Sequence, residues 1–345
     1  METQWLKTTE LDSAAYDSAI DRAAALLRAG ELVAFPTETV YGLGGNALDD
    51  TAAHRIYAAK GRPSDNPLIV HISHIDMAEE LVTDMIPLFR RLAFEFWPGP
   101  LTMILPKTAK IPDSTTGGLP TVALRMPAHR VALDLIDRAG LPLAAPSANL
   151  SGKPSTTRGA HVFHDLAGKI PLILDGGDAV VGLESTIVDL TGERPAILRP
   201  GKITYEDLKP FAPTLLGSVT VPESERPRAP GMKYRHYAPA ATVLRVPSPA
   251  ALRAAFAAAK AEGRRVALVV SEELWSAVQA EVAPDLLLLL GTDADSAAHR
   301  LFDHFRRCDA AGMDVVLVEE FAEQGVGIAL MNRIAKASLA PPEQG

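Results

Sequence analysis

The sequence predicts a two-part α/β protein, a mixed sheet with flanking helices followed by a smaller parallel unit, and three observations carry that prediction. A chain of 345 residues is longer than one domain usually needs, taking about 150 residues per domain. Through the first two-thirds of the chain, helical repeats and short buried-strand runs interleave without strict alternation, the pattern of a mixed sheet. After Pro239, strand and helix alternate strictly, which argues a small parallel sheet with helices packed on it.

Asp17 to Ala29 carries apolar residues at helical spacing and stops at Gly30, a C-terminal signal. Leu32 to Phe35 reads as a short buried strand feeding a threonine-rich loop. Asp50 to Ala59 is a second helix, opened by an aspartate, and Leu68 to Ile72 a second strand. The order continues through a helix over Asp84 to Phe96, strands at Leu101 to Leu105 and Val122 to Met126, a helix over Arg130 to Ala139 and a strand at Leu141 to Ala145. A helix near Arg158 to Leu166, strands at Leu172 to Leu174, Ser185 to Leu190 and Ala196 to Leu198, and a short helix at Tyr205 to Lys209 complete the first part, residues 1–216. Residues 217–239 are proline-rich and have no period, so they read as an extended linker. Within it Lys233, Tyr234, Arg235, His236 and Tyr237 interleave cations with aromatic rings, a composition suited to lying over an anionic ligand with a flat ring. The last part, residues 240–345, runs strand Thr242 to Val246, helix Pro249 to Ala261, strand Arg265 to Ser271, helix Glu273 to Val282, strand Leu286 to Leu290, helix Ser296 to Ala311, strand Val315 to Glu319 and helix Ile328 to Ser338.

Composition narrows the function. With 47% hydrophobic and 22% charged residues, each part can build a core. The single cysteine, Cys308, excludes an internal disulfide framework and a cysteine-rich zinc site, and it agrees with a reducing compartment. The N-terminal stretch has no apolar leader region and the run Leu286 to Leu290 is too short to span a bilayer, so the expectation is a soluble, cytoplasmic protein with no membrane partner. Net charge is 34 minus 42, or −8. A protein that held long nucleic acid by phosphate neutralisation would carry a basic surplus, so any tRNA or RNA contact is expected to be local. A small anion needs only a few positioned cations.

Those cations stand together between Thr37 and His71. Pro36-Thr37-Glu38-Thr39 leaves a buried strand, and Lys60-Gly61-Arg62-Pro63 follows a helix, with Asn66 and His71 close behind. Gly61 lets the backbone turn so that Lys60 and Arg62 can point to one place. On charge alone a solvated turn would explain them; the surrounding hydroxyls, amide and imidazole argue a phosphate site. Ala145, Ser147 and Asn149 follow another buried strand, in a run of small residues that allows a ligand to approach the backbone, although a turn uses the same residues. Arg125 interrupts an apolar strand and should meet a carboxylate, from the protein or from a substrate, and Arg199 at a later strand end carries the same two readings. Phosphate-loop, Rossmann and zinc-protease signatures are absent; Gly325-Val326-Gly327 reads as a helix start, and His74, His161 and His164 as surface histidines.

At these residues the sequence resembles the YrdC-like threonylcarbamoyl-AMP synthases in their long two-domain form. The matching strings are PTETVYGLG at Pro36, KGRPSDNPLIVH at Lys60, FWPGPLTMIL at Phe96, VALRMP at Val122, APSANLSGKPS at Ala145, ESTIVD at Glu184, ILRPG at Ile197, APGMKYRHYAP at Ala229 and GIALMNRIAKAS at Gly327. The resemblance implies a twisted mixed α/β sheet with a concave basic face, plus a small Rossmann-like parallel C-terminal domain. It implies an enzyme that condenses L-threonine, bicarbonate or CO2, and ATP into L-threonylcarbamoyladenylate with release of pyrophosphate, for a downstream tRNA threonylcarbamoyl transferase. By the same resemblance Lys60, Arg62, Ser147 and Asn149 form the catalytic cluster, and Thr39, His71, Arg125, Ser147 and Ser185 receive threonine. Arg62, Asn66, Thr121, Ala145, Ser155, Arg199 and Tyr237 are the expected ATP contacts, with Mg2+ on the phosphates and no protein ligand assigned to it. Tyr234 to Tyr237 is expected to close over the nucleotide as a lid. The competing class is a module that holds double-stranded RNA or tRNA without chemistry of its own, against which the acidic total counts.

Overall fold

The protein is described by a computed structural model covering residues 1–218, 227–230, 232 and 237–338. Lys233, Tyr234, Arg235 and His236, and with them most of the expected lid, lie outside the described residues. The chain divides into two compact units, Met1–Ser151 with Ser155–Val180 and Glu184–Lys233, and Gly152–Pro154 with Val181–Leu183 and Tyr234–Gly345.

The first unit contains strands β1 (Gln4–Lys7), β2 (Val33–Phe35), β3 (Gly42–Asn46), β4 (Ile69–His71), β5 (Leu101–Pro106), β6 (Thr121–Arg125), β7 (Leu143–Ala144), β8 (Leu172–Asp175), β9 (Thr186–Asp189), β10 (Ala196–Arg199) and β11 (Leu216–Ser218). Its helices are α1 (Ser13–Arg28), α2 (Asp50–Lys60), α3 (Asp76–Leu81), α4 (Pro87–Phe96), α5 (Asp113–Thr116), α6 (Arg130–Ala139), α7 (Gly159–Leu166) and α8 (Tyr205–Leu208). The strands form one mixed sheet in the order β1-β8-β2-β3-β7-β4-β6-β5-β9-β10-β11. One face packs on α2, α4 and α7 through Ile56, Phe89, Leu92 and Val162. The other face is covered by α1 and α6 over β2, β7 and β8, through Ile20, Leu27, Leu135 and Ile136. Over β4, β5, β6, β9 and β10 that second face instead carries a separate apolar cluster of Ile69, Ile104, Ala123, Ile187, Ala196 and Leu198, closed by Ala229 from the segment after β11.

Local chemistry explains several departures from the sequence expectation. Helix α1 begins at Ser13 because Asp12 accepts a hydrogen bond from the Ala15 N–H and the apolar stripe already starts at Tyr16. Helix α4 begins at Pro87, whose missing N–H costs nothing in the first turn, so Asp84 lies outside it. Strand β3, sequence GLGGN, is hidden by its low strand propensity. Its glycines leave room for the Phe35 ring of the paired strand: a Cβ on Gly44 would stand 2.7 Å from Phe35 Cε1. Strand β1 pairs in parallel with β8, and β11 pairs in parallel with β10 where the sequence reads the start of a linker.

The second unit contains β12 (Thr242–Val246), α9 (Pro249–Ala261), β13 (Val266–Val270), α10 (Glu272–Val278), β14 (Leu286–Leu289), α11 (Ala294–Ala310), β15 (Val315–Glu319) and α12 (Val326–Ala337). All strand pairs are parallel, in the order β12-β15-β13-β14. Three of its four helix starts are read from their caps: Ser248, Ser271 and Asp293 accept the N–H groups of Ala251, Leu274 and Ser296, while α12 follows Gly325 without a side-chain cap. No helix among the described residues is long and apolar enough to cross a membrane.

Candidate active site

Strand register gathers the candidate residues of the first unit. His71 on β4 pairs with Arg125 on β6, and the antiparallel pair Met103 with Leu124 sets Thr102 on β5 opposite Arg125. Because side chains alternate with a period of two, Arg125, His71 and Thr102 share the face that bears Ile69, Ala123 and Ile104, the face that no described helix of the first unit covers at this end of the sheet.

Arg125 is buried, and its guanidinium meets three neighbours. Its Nη1 donates to Thr39 Oγ1 at 2.9 Å, Nε to the Gly99 carbonyl at 3.3 Å, and Nη2 lies 2.6 Å from Glu38 Oε1. The carboxylate that the strand arginine requires is therefore present in the protein, on the threonine-rich loop. That loop is fixed by Thr37, whose hydroxyl donates to the Val40 carbonyl at 2.6 Å and accepts the N–H groups of Thr39 and Val40. His71 stays a neutral imidazole: burial first, and then the Arg125 charge, push its pKa down to about 3. Its Nδ1 faces the Ile69 carbonyl at 3.2 Å and its ring meets Phe35 edge-on.

Ser185 lies beside this group, just before β9. Its hydroxyl and that of Thr102 are 2.7 Å apart, and Arg199 donates from Nη2 to Ser185 Oγ and from Nε to the Ser185 carbonyl, both at 3.0 Å. Arg199 Nη1 reaches the Pro230 carbonyl at 3.5 Å, and Arg228 pairs with Asp189 at 2.8 Å, so the segment after β11 is tied to this face at two points.

Lys60 closes α2, and Gly61 at φ 63° turns the chain so that Arg62 follows at once. Lys60 is 2% exposed. Its Nζ donates to the carbonyl oxygens of Ser147 and Asn149, and Ser147 Oγ donates to Asn149 Oδ1. The loop carrying Ser147 is stitched to the sheet by Ala145 N–H to the Ile69 carbonyl and Ala148 N–H to the Tyr41 carbonyl. Lys60, Ser147 and Asn149 thus form one cluster. Arg62 stands next to it but folds onto its own loop, donating to the carbonyls of Asn66 and Pro67 at 3.2 and 3.0 Å. Asn66 keeps a buried side-chain oxygen without a donor.

Thr121 begins β6, four residues before Arg125, which separates the two by about 13 Å along the strand. Asn66 precedes β4 at the same end, so Thr121 and Asn66 mark one end of the uncovered face and Arg125 and His71 the other. Ser155 donates to Glu184 Oε1, a buried pair that sequence reasoning did not join. Tyr237 belongs to the second unit, with its ring stacked on Phe302 at 5.2 Å and the Arg333 guanidinium 5.6 Å from its centroid. Sequence reasoning passed over Glu38 and Thr102. The signal for Glu38 was its place one residue from Thr39 on a loop leaving a buried strand; Thr102 was legible only through register. Among the described residues no group of three or more His, Cys, Asp or Glu side chains could hold a metal ion.

An α/β sheet with a buried arginine and carboxylate at one end of its uncovered face and a lysine–amide cluster in the loops beside it has the equipment to hold two charged small molecules. Comparison with known proteins gives that class a family. Residues 25–201 match the Sua5, YciO and YrdC family described as "Telomere recombination", and residues 203–338 match "Threonylcarbamoyl-AMP synthase, C-terminal domain". A threonylcarbamoyl-AMP synthase of Pyrococcus abyssi is 45% identical over 327 residues, covering 92% of this chain and 93% of the relative. One from Bacillus subtilis is 44% identical over 340 residues, covering 97% of both. The crystal structure of P. abyssi Sua5 complexed with L-threonine superposes with a TM-score of 0.88 at 45% identity, covering 93% of this chain and 94% of that one. Escherichia coli YciO matches 56% of this chain and 93% of its own, at 26% identity and a TM-score of 0.50. The chain belongs to the threonylcarbamoyl-AMP synthase family.

Proposed function

We infer that this protein is an L-threonylcarbamoyladenylate synthase, a nucleotidyltransferase that joins L-threonine, bicarbonate or CO2, and ATP and releases pyrophosphate. The observation that carries the reading is the collection of Thr39, His71, Arg125 and Ser185 at one end of the uncovered sheet face, in a chain 45% identical to a relative crystallised with L-threonine. In the proposed mechanism the Arg125 guanidinium takes the threonine carboxylate as a planar charge-assisted pair, and Thr39, Ser185 and neutral His71 orient the molecule. The amine attacks CO2, and the new carbamate oxygen attacks the α-phosphate of ATP. Lys60 and Arg62 stabilise the charge that spreads as pyrophosphate departs, with Ser147 and Asn149 fixing the lysine. Asn66, Thr121, Ala145, Ser155 and Arg199 of the first unit contact the nucleotide. No covalent intermediate with the protein is required, so catalysis is positioning and electrostatics. The residues around Lys60 are cations, hydroxyls and amides, which suits phosphate oxygens and offers a metal no ligand set; Mg2+ is accordingly proposed to arrive with the substrate as MgATP.

The product is proposed to pass to a tRNA threonylcarbamoyl transferase in the cytoplasm for N6-threonylcarbamoyladenosine formation. Pyrophosphate release is measured with all three substrates and with each omitted in turn. Release that depends on threonine and on bicarbonate is the expected result, and release that ignores either one defeats the reading.

A further inference from the structure

Glu38 is the acidic partner of Arg125, yet the pair is incomplete. Glu38 is 5% exposed, and both of its carboxylate oxygens are buried without a hydrogen-bond donor. Arg125 Nη2 lies 2.6 Å from Oε1, but its N–H directions miss, and Nη2 is itself without an acceptor. A buried carboxylate that only touches a charge is costly, because four lone-pair directions have lost water and gained no donor. The surroundings do not complete it: the Thr37 hydroxyl is committed to Val40, and the Thr39 hydroxyl to Arg125 and Thr37. An α-amino acid zwitterion would complete both halves. Its carboxylate presents two oxygens to Arg125, and its ammonium, two bonds away, presents three N–H donors to Glu38.

We propose that Glu38 is the amino-group receptor of this site, the second arm of a zwitterion clamp whose first arm is Arg125, and that it accepts the proton the amine must lose before it attacks CO2. This rests on the reading of the protein as a threonine-using synthase. The ammonium transfers one proton to the Glu38 carboxylate, leaving a neutral amine and a carboxylic acid. The nitrogen lone pair then forms the N–C bond to CO2 while one C–O π pair moves onto oxygen. The N-carboxylated ammonium gives its remaining excess proton to water, and Glu38 returns its own proton to solvent before the next turnover. Threonine zwitterion plus CO2 thus becomes carbamate plus two protons, with nothing oxidised or reduced. Among the described residues the charged and titratable groups that meet or feel Glu38 are Arg125 from β6 and His129 at the head of α6, and neutral His71 on β4 stands beside Arg125.

The test uses the full chain and calorimetric binding of L-threonine and of 3-hydroxybutyrate, which is threonine with its amino group replaced by hydrogen. Wild type is expected to prefer threonine by about tenfold or more, the usual worth of a hydrogen bond to a charged group. In E38Q that preference shrinks to less than threefold through loss of threonine affinity alone. The E38Q pyrophosphate-release profile moves to higher pH, where threonine arrives already deprotonated, whereas E38D keeps the wild-type profile shape with weaker threonine binding. A wild-type preference near unity overturns the proposal without any variant, as does an E38Q protein with the wild-type preference and pH profile. A wild-type protein that ignores threonine altogether overturns the functional reading as well, which separates the two failures.

Discussion

Acid should weaken the first unit through His71 by an amount the structure sets. In the folded protein this imidazole is held neutral, its pKa pushed from 6.5 to about 3 by burial and by the Arg125 charge. The unfolded chain titrates normally, so between these two values the unfolded state binds more protons than the folded one, and stability falls as pH falls through 6.5 toward 3. Above 6.5 the group contributes no slope. Moving from about pH 8 to about pH 5 favours the unfolded state roughly thirtyfold at this one site, or about 2 kcal/mol. The figure depends on the unfolded value, since any folded pKa well below 5 gives nearly the same result. His129, half-buried and also depressed, acts in the same direction, so the comparison is between wild type and H71N, which replaces the Nδ1 donor with an amide and cannot titrate. The assay is urea unfolding followed by tryptophan fluorescence in a W275F background, where Trp5 and Trp97 both report on the first unit. Wild type should lose about 2 kcal/mol more than H71N between the two pH values, and equal losses would refute the buried neutral histidine.

Three further outcomes follow from packing. G44A drives a methyl to 2.7 Å from the fully buried Phe35 ring, and should lower stability by about 1–3 kcal/mol in thermal unfolding; an unchanged midpoint would mean that the ring is free to swing aside. Thr204 accepts the Asp207 N–H while Asp207 accepts the Thr204 N–H, so T204A should cost about 1 kcal/mol and T204S much less in denaturant titration. Burial pushes the Cys308 thiol up to about 12, so a thiol reagent should label the native protein slowly and the urea-unfolded protein at once; fast native labelling contradicts the packing of α11.

How much of this was legible in the sequence depends on which forces set each element. The helices with amphipathic stripes and caps, α1, α2 and α6, and the whole second unit are visible because local periodicity and tertiary burial agree there. Strand β3 was hidden because its glycines serve the Phe35 ring above them and carry no strand propensity of their own. Strand β1 gains its place only from pairing with β8, about 170 residues away, which no local window contains. At the site, the Lys60, Ser147 and Asn149 cluster was foreseeable as polar residues in loops leaving buried strands. That the lysine is spent on backbone carbonyls was not, because carbonyl direction is set by loops closed through Ala145 and Ala148. The requirement that Arg125 meet a carboxylate was stated by the strand itself; that Glu38 supplies one depends on the turn built by Thr37.

Strand β6 also behaves as a ruler. Thr121 and Arg125 sit on one face of a single extended segment, so the spacing between the two ends of the proposed pocket follows from backbone geometry and is independent of loop conformation. Inserting one residue between them would turn Arg125 to the helix-packed face, and inserting two would keep the face while lengthening the span by nearly 7 Å. On the proposed reading β6 therefore cannot change length without moving the nucleotide end of the pocket against the threonine end, and variation in substrate choice has to be sought in the loops that meet its ends.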